Sequence, residues 1–224
     1  DQAIPLQHLV GRCPWRDLEL AVSAAALIPR QETEVLVDLA LETIAGMPIE
    51  RWADLGTGSG AIAVALSRAM PATPGHAVDL SPDALALART NLEALAPKGK
   101  WHLHQGRWWE PLEPWCGHID LVVCNPPYIP SDLIHNLDPV VRDHEPHLAL
   151  AGGIDGLQAI REVVAGACHA LAPGGWILIE HHHDQSAPVL NLLNHAGLSS
   201  IRGARDLEGV NRFALARRSL SPCS

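Results

Sequence analysis

The chain has 224 residues, 47% hydrophobic and 18% charged, and its 16 basic against 25 acidic side chains leave a formal net charge of −9. That is the length of one domain of the larger kind; the hydrophobic share excludes a disordered polymer, and no apolar run approaches the roughly 20 residues a membrane-spanning helix needs. The acidic balance excludes a broad attraction to nucleic acid, leaves only a local cluster such as Arg212, Arg217 and Arg218 to touch a phosphate backbone, and favours a protein or small-molecule partner.

Cysteines at 13, 116, 124, 168 and 223 are odd in number and contain no Cys-x-x-Cys pair, which predicts neither a disulfide framework nor a zinc knuckle, and a reducing compartment. Asp1-Gln2-Ala3-Ile4-Pro5 has neither the basic start nor the apolar stretch of a secretory signal, so the expected location is cytoplasmic.

In chain order, residues 1–29 read as an extended or hairpin-like lead-in, residues 30–218 as the main domain and residues 219–224 as a tail. Val35, Leu36, Leu39, Ala40 and Ile44 recur at helical spacing within Gln31 to Ala45, behind the acidic Glu32 and Glu34 that suit a helix start. An alternation follows: strand Arg51 to Leu55, helix Ala61 to Met70, strand His76 to Leu80, helix Pro82 to Leu95, strand Trp101 to His104, strand Ile119 to Cys124. A less regular stretch from Asn125 to Gly153 precedes a helix from about Asp155 to Leu171, a strand from Trp176 to Glu180 and a helix near Ala187 to Ala196. Such an alternation implies βαβ units and a mostly parallel sheet covered on both faces. Ser199 to Ala204 and Asn211 to Ala216 are too close for a crossover helix and should pair antiparallel. In such a sheet the chemistry belongs in the loops beyond the carboxyl ends of the strands.

The first of these loops reads Asp54-Leu55-Gly56-Thr57-Gly58-Ser59-Gly60-Ala61, between a strand and a helix, where glycines permit a tight turn and close backbone approach to a ligand. Gly56, Gly58 and Ala61 fit the dinucleotide pattern G-x-G-x-x-G/A. Asp54 and the tight Gly56, Gly58, Gly60 spacing resemble motif I of S-adenosylmethionine (SAM) dependent methyltransferases. The next strand ends in Asp79-Leu80, where a carboxylate can accept from both ribose hydroxyls of a nucleoside; the alternative is that Asp79 or Ser81 only caps the helix that Pro82 begins.

The strand Ile119 to Cys124 runs into Asn125-Pro126-Pro127-Tyr128. Two prolines stiffen the backbone and remove two N–H donors, so carbonyls there can be held toward a ligand. An amide or amino nitrogen is a poor nucleophile toward a methyl sulfonium because its lone pair is delocalised. With its two hydrogens accepted by the Asn125 side-chain oxygen and the Pro126 carbonyl, that nitrogen is oriented and its developing charge is stabilised, while the Tyr128 ring packs on the flat group and excludes water. The bland alternative is a rigid turn with Tyr128 as core. Together with the Gly-rich loop and Asp79, the tetrapeptide points to an N-methyltransferase, acting either on adenine in nucleic acid or on protein glutamine.

The flanking sequence favours glutamine. Leu27-Ile28-Pro29-Arg30-Gln31-Glu32-Thr33-Glu34, Ile129-Pro130, Glu145-Pro146, Gly152-Gly153-Ile154-Asp155-Gly156-Leu157, Pro173-Gly174-Gly175, Glu180, Gln185 and the run Arg205 to Arg212 follow one another in an order that closely resembles the HemK/PrmC family. These are the protein-glutamine N-methyltransferases of peptide-chain release factors. The resemblance extends from about Pro5 to Ala216. It implies a Rossmann-like class I SAM-dependent methyltransferase, with a seven-stranded mostly parallel sheet and an antiparallel C-terminal hairpin. It implies SAM as methyl donor and the glutamine of the release factor's Gly-Gly-Gln motif as acceptor. By the same resemblance Asp54, Gly56 and Gly58 line the methionine part of SAM and Asp79 holds the ribose, with Thr57, Gly60, Leu80, Arg107, Trp108 and Asn125 also counted as cofactor-binding. Asn125, Pro126, Pro127 and Tyr128 grip the glutamine, and Glu32 and Thr33 help close the site. Release factors are then the expected partner, with no membrane and no stable nucleic-acid binding. A non-catalytic SAM-binding protein is the alternative from another class.

The chain departs from the family pattern in places. Gln31 replaces a usual Pro at the helix start, and Arg107 replaces the carboxylate that would accept from the adenine amino group. His181-His182-His183-Asp184 replaces a short segment containing Gly. The small helical domain with which members tend to begin is not expected before Pro5, so the sequence reads either as a catalytic part of a longer protein or as an unusually short member. Three successive histidines point to alternating faces and cannot readily ligate one ion, so no metal site is expected. His144, Glu145 and His147 either approach the substrate or lie in a solvated loop. Cys124 is expected to be a small buried thiol, and Trp108-Trp109 to pack near the adenine pocket or in the core.

Overall fold

A computed structural model describes residues 4–220. The lead-in holds a short helix α1 (Leu6–Val10), which periodicity over so few residues does not announce, and the expected hairpin, β1 (Arg12–Trp15) and β2 (Leu18–Ala21). Then follow α2 (Glu32–Thr43), β3 (Trp52–Leu55), α3 (Ala61–Ala69), β4 (Gly75–Asp79), α4 (Pro82–Leu95), β5 (Trp101–Gln105) and β6 (Ile119–Cys124). The stretch read as irregular contains a 3-10 turn (Ser131–Asn136) and two short helices, α5 (Pro139–His144) and α6 (His147–Leu150). The chain ends with α7 (Gln158–Ala170), β7 (Leu171–Glu180), α8 (Ser186–His195), β8 (Ser199–Arg205) and β9 (Asn211–Arg217).

Two boundaries differ from expectation for local reasons. Helix α7 begins at Gln158 rather than near Asp155, because Gly156 is left-handed and the Asp155 carboxylate accepts from Leu157 N at 3.1 Å, closing a turn instead. Strand β7 begins at Leu171 rather than Trp176, with its pairing to β6 shifted between Ile119 and Leu121, next to Pro173-Gly174-Gly175.

Seven strands form one sheet in the order β5-β4-β3-β6-β7-β9-β8, parallel except for β9, which runs antiparallel to both β7 and β8. Side chains alternate between the faces along each strand. In β6, Leu121 and Val123 meet Leu36, Ala40 and Leu66 on the face covered by α2, α3 and α4, whereas Val122 and Cys124 meet Ile160, Val163 and Leu193 on the face covered by α7 and α8. Phe213 and Leu215 of β9 continue the first layer, Ala214 and Ala216 the second. Full burial of each Leu, Ile or Val contributes about 1.5–3 kcal/mol, so two continuous layers outweigh any single polar contact in holding the sheet closed.

The hairpin is part of this body. Trp15 is buried and donates Nε1–H to the Arg30 carbonyl at 2.8 Å. Buried Asn91 of α4 accepts from Ala21 N at 2.8 Å and donates to Ala21 O at 2.9 Å and Ser59 O at 2.8 Å, tying the hairpin to the Gly-rich loop. Cys13, Cys116 and Cys124 are free thiols, but Cys168 is disulfide-bonded, which departs from the expectation of a chain without disulfides. Among the described residues no helix is long and apolar enough to cross a membrane.

Replacing Asn91 by Leu should leave the backbone groups of Ala21 and Ser59 without these partners. We expect a loss of roughly 2–3 kcal/mol, measured by urea unfolding.

Candidate functional site

The sheet order reverses at β3. From β3 the chain moves outward to β4 and β5, then returns to lay β6 on the other side of β3, so the loops after β3 and β6 diverge from a shared crevice at their carboxyl ends. The Gly-rich loop and the Asn125 loop are those two loops.

Gly56 N and Thr57 N both donate to Val78 O at 2.9 Å, and Thr57 Oγ1 donates to Asp54 Oδ2 at 2.6 Å. Asp54 is fully buried behind the loop, with Oδ1 lacking a partner. Gly60 is left-handed at φ 82°, and a Cβ there would meet Ala88 Cα at 3.0 Å, so α3 can begin this close to α4 only with glycine. A Cβ on Gly56 would meet the Trp108 ring at 3.3 Å. Asp79 accepts from Gly58 N at 2.8 Å through Oδ2 and from Ser81 N at 2.9 Å through Oδ1; burial raises its pKa, against these backbone hydrogen bonds. The helix cap of α4 is Ser81, which accepts from Ala84 N at 3.2 Å, so Asp79 remains at the cavity wall.

At the other loop, the Asn125 side chain donates Nδ2–H to Thr33 Oγ1 at 3.1 Å, and Thr33 donates to Glu180 Oε2 at 2.8 Å. The Tyr128 hydroxyl donates to the other carboxylate oxygen of Glu180 at 3.4 Å. The ends of β6 and β7 and the first turn of α2 thus meet in one polar network. Burial pushes the Glu180 carboxyl up to about 7, opposed by Thr33 and Arg212 and reinforced by Glu32. Burial and Glu180 raise the Tyr128 phenol, so it stays protonated as a donor. Gln185 holds the loop from behind, donating to Tyr128 O at 2.9 Å and Gly156 O at 3.2 Å.

Between the two loops lies a cavity of about 580 Å³, within the range of small-molecule sites. One wall is the segment after the hairpin. Buried Glu145 latches it by accepting from Ile28 N and from Arg30, both at 3.1 Å, so Glu145 serves the wall rather than the substrate. His144 is half-buried and His147 exposed. Trp108 lines the cavity and donates to Glu162 Oε2 at 2.8 Å; Trp109 turns away and donates to Val163 O at 2.9 Å. Arg107 also lines the cavity, forked onto Glu162 at 2.7 and 2.8 Å.

Residues 31–137 match the model of the methyltransferase small domain family. The release factor glutamine methyltransferase of Prochlorococcus marinus is 59% identical over 217 residues, covering 96% of this chain and 74% of that protein. That of Thermosynechococcus vestitus is 43% identical, covering 96% of this chain and 75% of that protein. The chain belongs to the release factor glutamine methyltransferase family. Solved structures agree on the fold: a Pyrococcus furiosus methyltransferase superposes with a TM-score of 0.65 at 15% identity, covering 89% of this chain and 88% of that one. The N-terminal domain of human METTL16 in complex with SAH gives 0.64 at 16% identity, covering 90% and 75%.

As in other class I methyltransferases, the donor expected here is SAM, and the chain's residues fit it. A glycine cradle lies under an aromatic ring, a carboxylate sits at the end of β4, and the cavity is large enough for a nucleoside with an amino-acid tail. Of the expected residues, Gly56, Thr57, Gly58, Asp79 and Leu80 line the cavity, as do Arg107, Trp108, Asn125, Pro127 and Thr33. Asp54 and Gly60 lie behind the wall, shaping the loop. Pro126 is buried next to Asn125, Tyr128 reaches Glu180, and Glu32 acts on Glu180 through its charge. Glu162 is not singled out in the sequence, Glu180 and Gln185 stand there only as marks of the family without a role, and Glu145, read as near the substrate or solvated, proves to be a buried latch of the wall. The signal that was present is the polar Glu180 ending an otherwise apolar strand.

His181 is buried with Nδ1 on its neighbour's carbonyl, whereas His182 pairs with Asp184 and its ring lies 4.1 Å from that of His183. Of the cluster Arg212, Arg217 and Arg218, Arg212 is ion-paired with Asp206, while Arg217 donates to Gly174 O and Arg218 to Leu171 O, carbonyls that leave their charges uncompensated.

Burial, opposed by the Thr57 hydrogen bond, pushes the Asp54 carboxyl up to about 7. The folded state keeps a proton that the unfolded chain releases near pH ~4, so this group's stabilisation is complete below that pH and is lost as pH rises through about 7. The urea midpoint should therefore fall less in Asp54→Asn than in the parent between about pH 5 and about pH 8.

Proposed function

We propose that this chain transfers the methyl group of SAM to the side-chain amide nitrogen of the glutamine in the Gly-Gly-Gln motif of release factors. The observation that carries the reading is the Asn125 loop, set beside the Gly-rich cradle with its amide nitrogen already committed to Thr33. SAM when bound supplies an electrophilic methyl on a sulfonium. Gly56, Thr57 and Gly58 would bring backbone close to its amino-acid part, Asp79 would accept from its ribose, and Trp108 with Arg107 would border its base; all six line the cavity. Asp54 and Gly60 act from behind, keeping the loop in shape.

The Asn125 oxygen and the Pro126 carbonyl accept the two amide hydrogens and turn the nitrogen toward the methyl. Pro127 stiffens the loop, and Tyr128 shields the flat amide from water. Glu32 and Thr33 complete the wall. In the transfer a nitrogen–carbon bond would form as the sulfur–carbon bond breaks, the sulfur keeping the electron pair, and the methylated nitrogen would then release one proton to solvent. Placement does most of the catalysis, because an amide nitrogen is a weak nucleophile until oriented. The acidic net charge supports a protein substrate over nucleic acid, and a release-factor substrate carries with it a cytoplasmic location.

The reading is tested by transfer of labelled methyl from SAM to purified release factor, beside a factor whose Gly-Gly-Gln glutamine is replaced and beside DNA. Label on the intact factor alone is the expected result; label on DNA would assign the enzyme to adenine instead. Asn125→Ala should lower kcat by roughly 100-fold or more with SAM affinity kept, since an oriented acceptor is lost. Asp79→Ala should weaken SAM binding about 10-fold or more in calorimetry, by loss of a charge-assisted acceptor.

A further inference from the structure

We propose that Glu180 is a positioning residue for the transfer: through Thr33 it holds the Asn125 side chain with its nitrogen turned away from the substrate and its oxygen presented to the incoming amide. The inference rests on the glutamine-transfer reading and concerns a residue that does not itself line the cavity.

The argument is one of donor counting. A threonine hydroxyl has a single hydrogen, and an ionised carboxylate can only accept. With Thr33 Oγ1 at 2.8 Å from Glu180 Oε2, that hydrogen goes to the carboxylate, so Thr33 can meet Asn125 only as an acceptor. The group 3.1 Å away must then be the Asn125 NH₂, leaving the carbonyl oxygen for the substrate. Tyr128 donates to the second oxygen of Glu180, so both ends of the carboxylate are met by donors and neither is free to turn. Glu180 is 1% exposed at the end of β7, paired in register with Phe213, so it has no alternative position in water.

Protonating Glu180 would reverse the chain. A carboxylic acid can donate to Thr33, whose own hydrogen then turns toward Asn125 and favours the flipped amide. The groups that act on Glu180 come from every element around it: Thr33 and Glu32 of α2, Tyr128 of the loop, Arg212 of β9 and Cys124 of β6. Burial wins over Thr33 and Arg212 and brings the carboxyl to about 7, so the reversal falls within the working pH range.

The test is the pH dependence of kcat and KM for methyl transfer to release factor in the parent, Glu180→Gln, Thr33→Val, Thr33→Ser and the double variant Glu180→Gln/Thr33→Val. In the parent, kcat should rise with pH through an acid limb near neutrality. Glu180→Gln, which can donate to Thr33 at any pH, should lower kcat by roughly 10- to 100-fold and lose that limb, with KM for SAM within about twofold. Thr33→Val should fall by a similar factor and Thr33→Ser should restore kcat to within about threefold, because only the hydroxyl is required. The double variant should be no worse than the poorer single one, since both break one chain. Parental kcat in Glu180→Gln, an unchanged acid limb there, or additive losses in the double variant would overturn the inference while leaving the transfer reading intact. No transfer by the parent would overturn that reading and the inference with it. Should Glu180→Gln fail to fold by circular dichroism, equal activity of Thr33→Val and Thr33→Ser would overturn the inference on its own.

Discussion

The parallel pairing of β3 with β6, Leu55 opposite Cys124, is the constraint from which the site follows. It stops both strands at the same level, so the Gly-rich loop and the Asn125 loop leave the sheet side by side, one able to face a methyl donor and the other a methyl acceptor. A slip of one residue would exchange Val122 and Val123 between the two core layers, so the apolar layers that stabilise the sheet also hold the spacing of the loops. Stability and catalytic geometry are thus one packing problem.

Around that pair the structure keeps several carboxyl groups out of water. Asp54, Glu145 and Glu180 are buried and Asp79 largely so, and burial raises all four. Each is met by particular donors: Thr57 for Asp54, Gly58 N and Ser81 N for Asp79, Ile28 N and Arg30 for Glu145, Thr33 and Tyr128 for Glu180. A hydrophobic residue in any of these places would be cheaper for folding, but it could not fix the direction of a hydrogen bond. The molecule accepts buried charge where the direction of a backbone or side chain decides the chemistry.

The lead-in hairpin shows how distant parts of the chain enter the site. Asn91 joins it to the Gly-rich loop, and Glu145, 115 residues beyond Arg30, latches the following segment across the cavity. Residues 24–30 become a wall because two distant polar side chains hold them there. Local propensity would leave this segment an open loop.

Much of this was legible from the order of residues alone. Helix and strand periodicity, the glycine spacing after β3, Asp79 at the end of β4 and Asn125-Pro126-Pro127-Tyr128 after β6 are local patterns, and local sterics and burial periodicity suffice to read them. The parallel sheet and its antiparallel end followed from connection lengths. Only the tertiary structure decided that Glu180 meets Thr33 and Thr33 meets Asn125, that Trp108 faces the cavity while its neighbour Trp109 packs on α7, and that Arg107 is matched by Glu162. Those pairings join residues 54 to 147 positions apart, and no periodic signal links such positions. They depend on which strand lies beside which and on the direction each side chain takes from its strand, and these are settled only when the two core layers close.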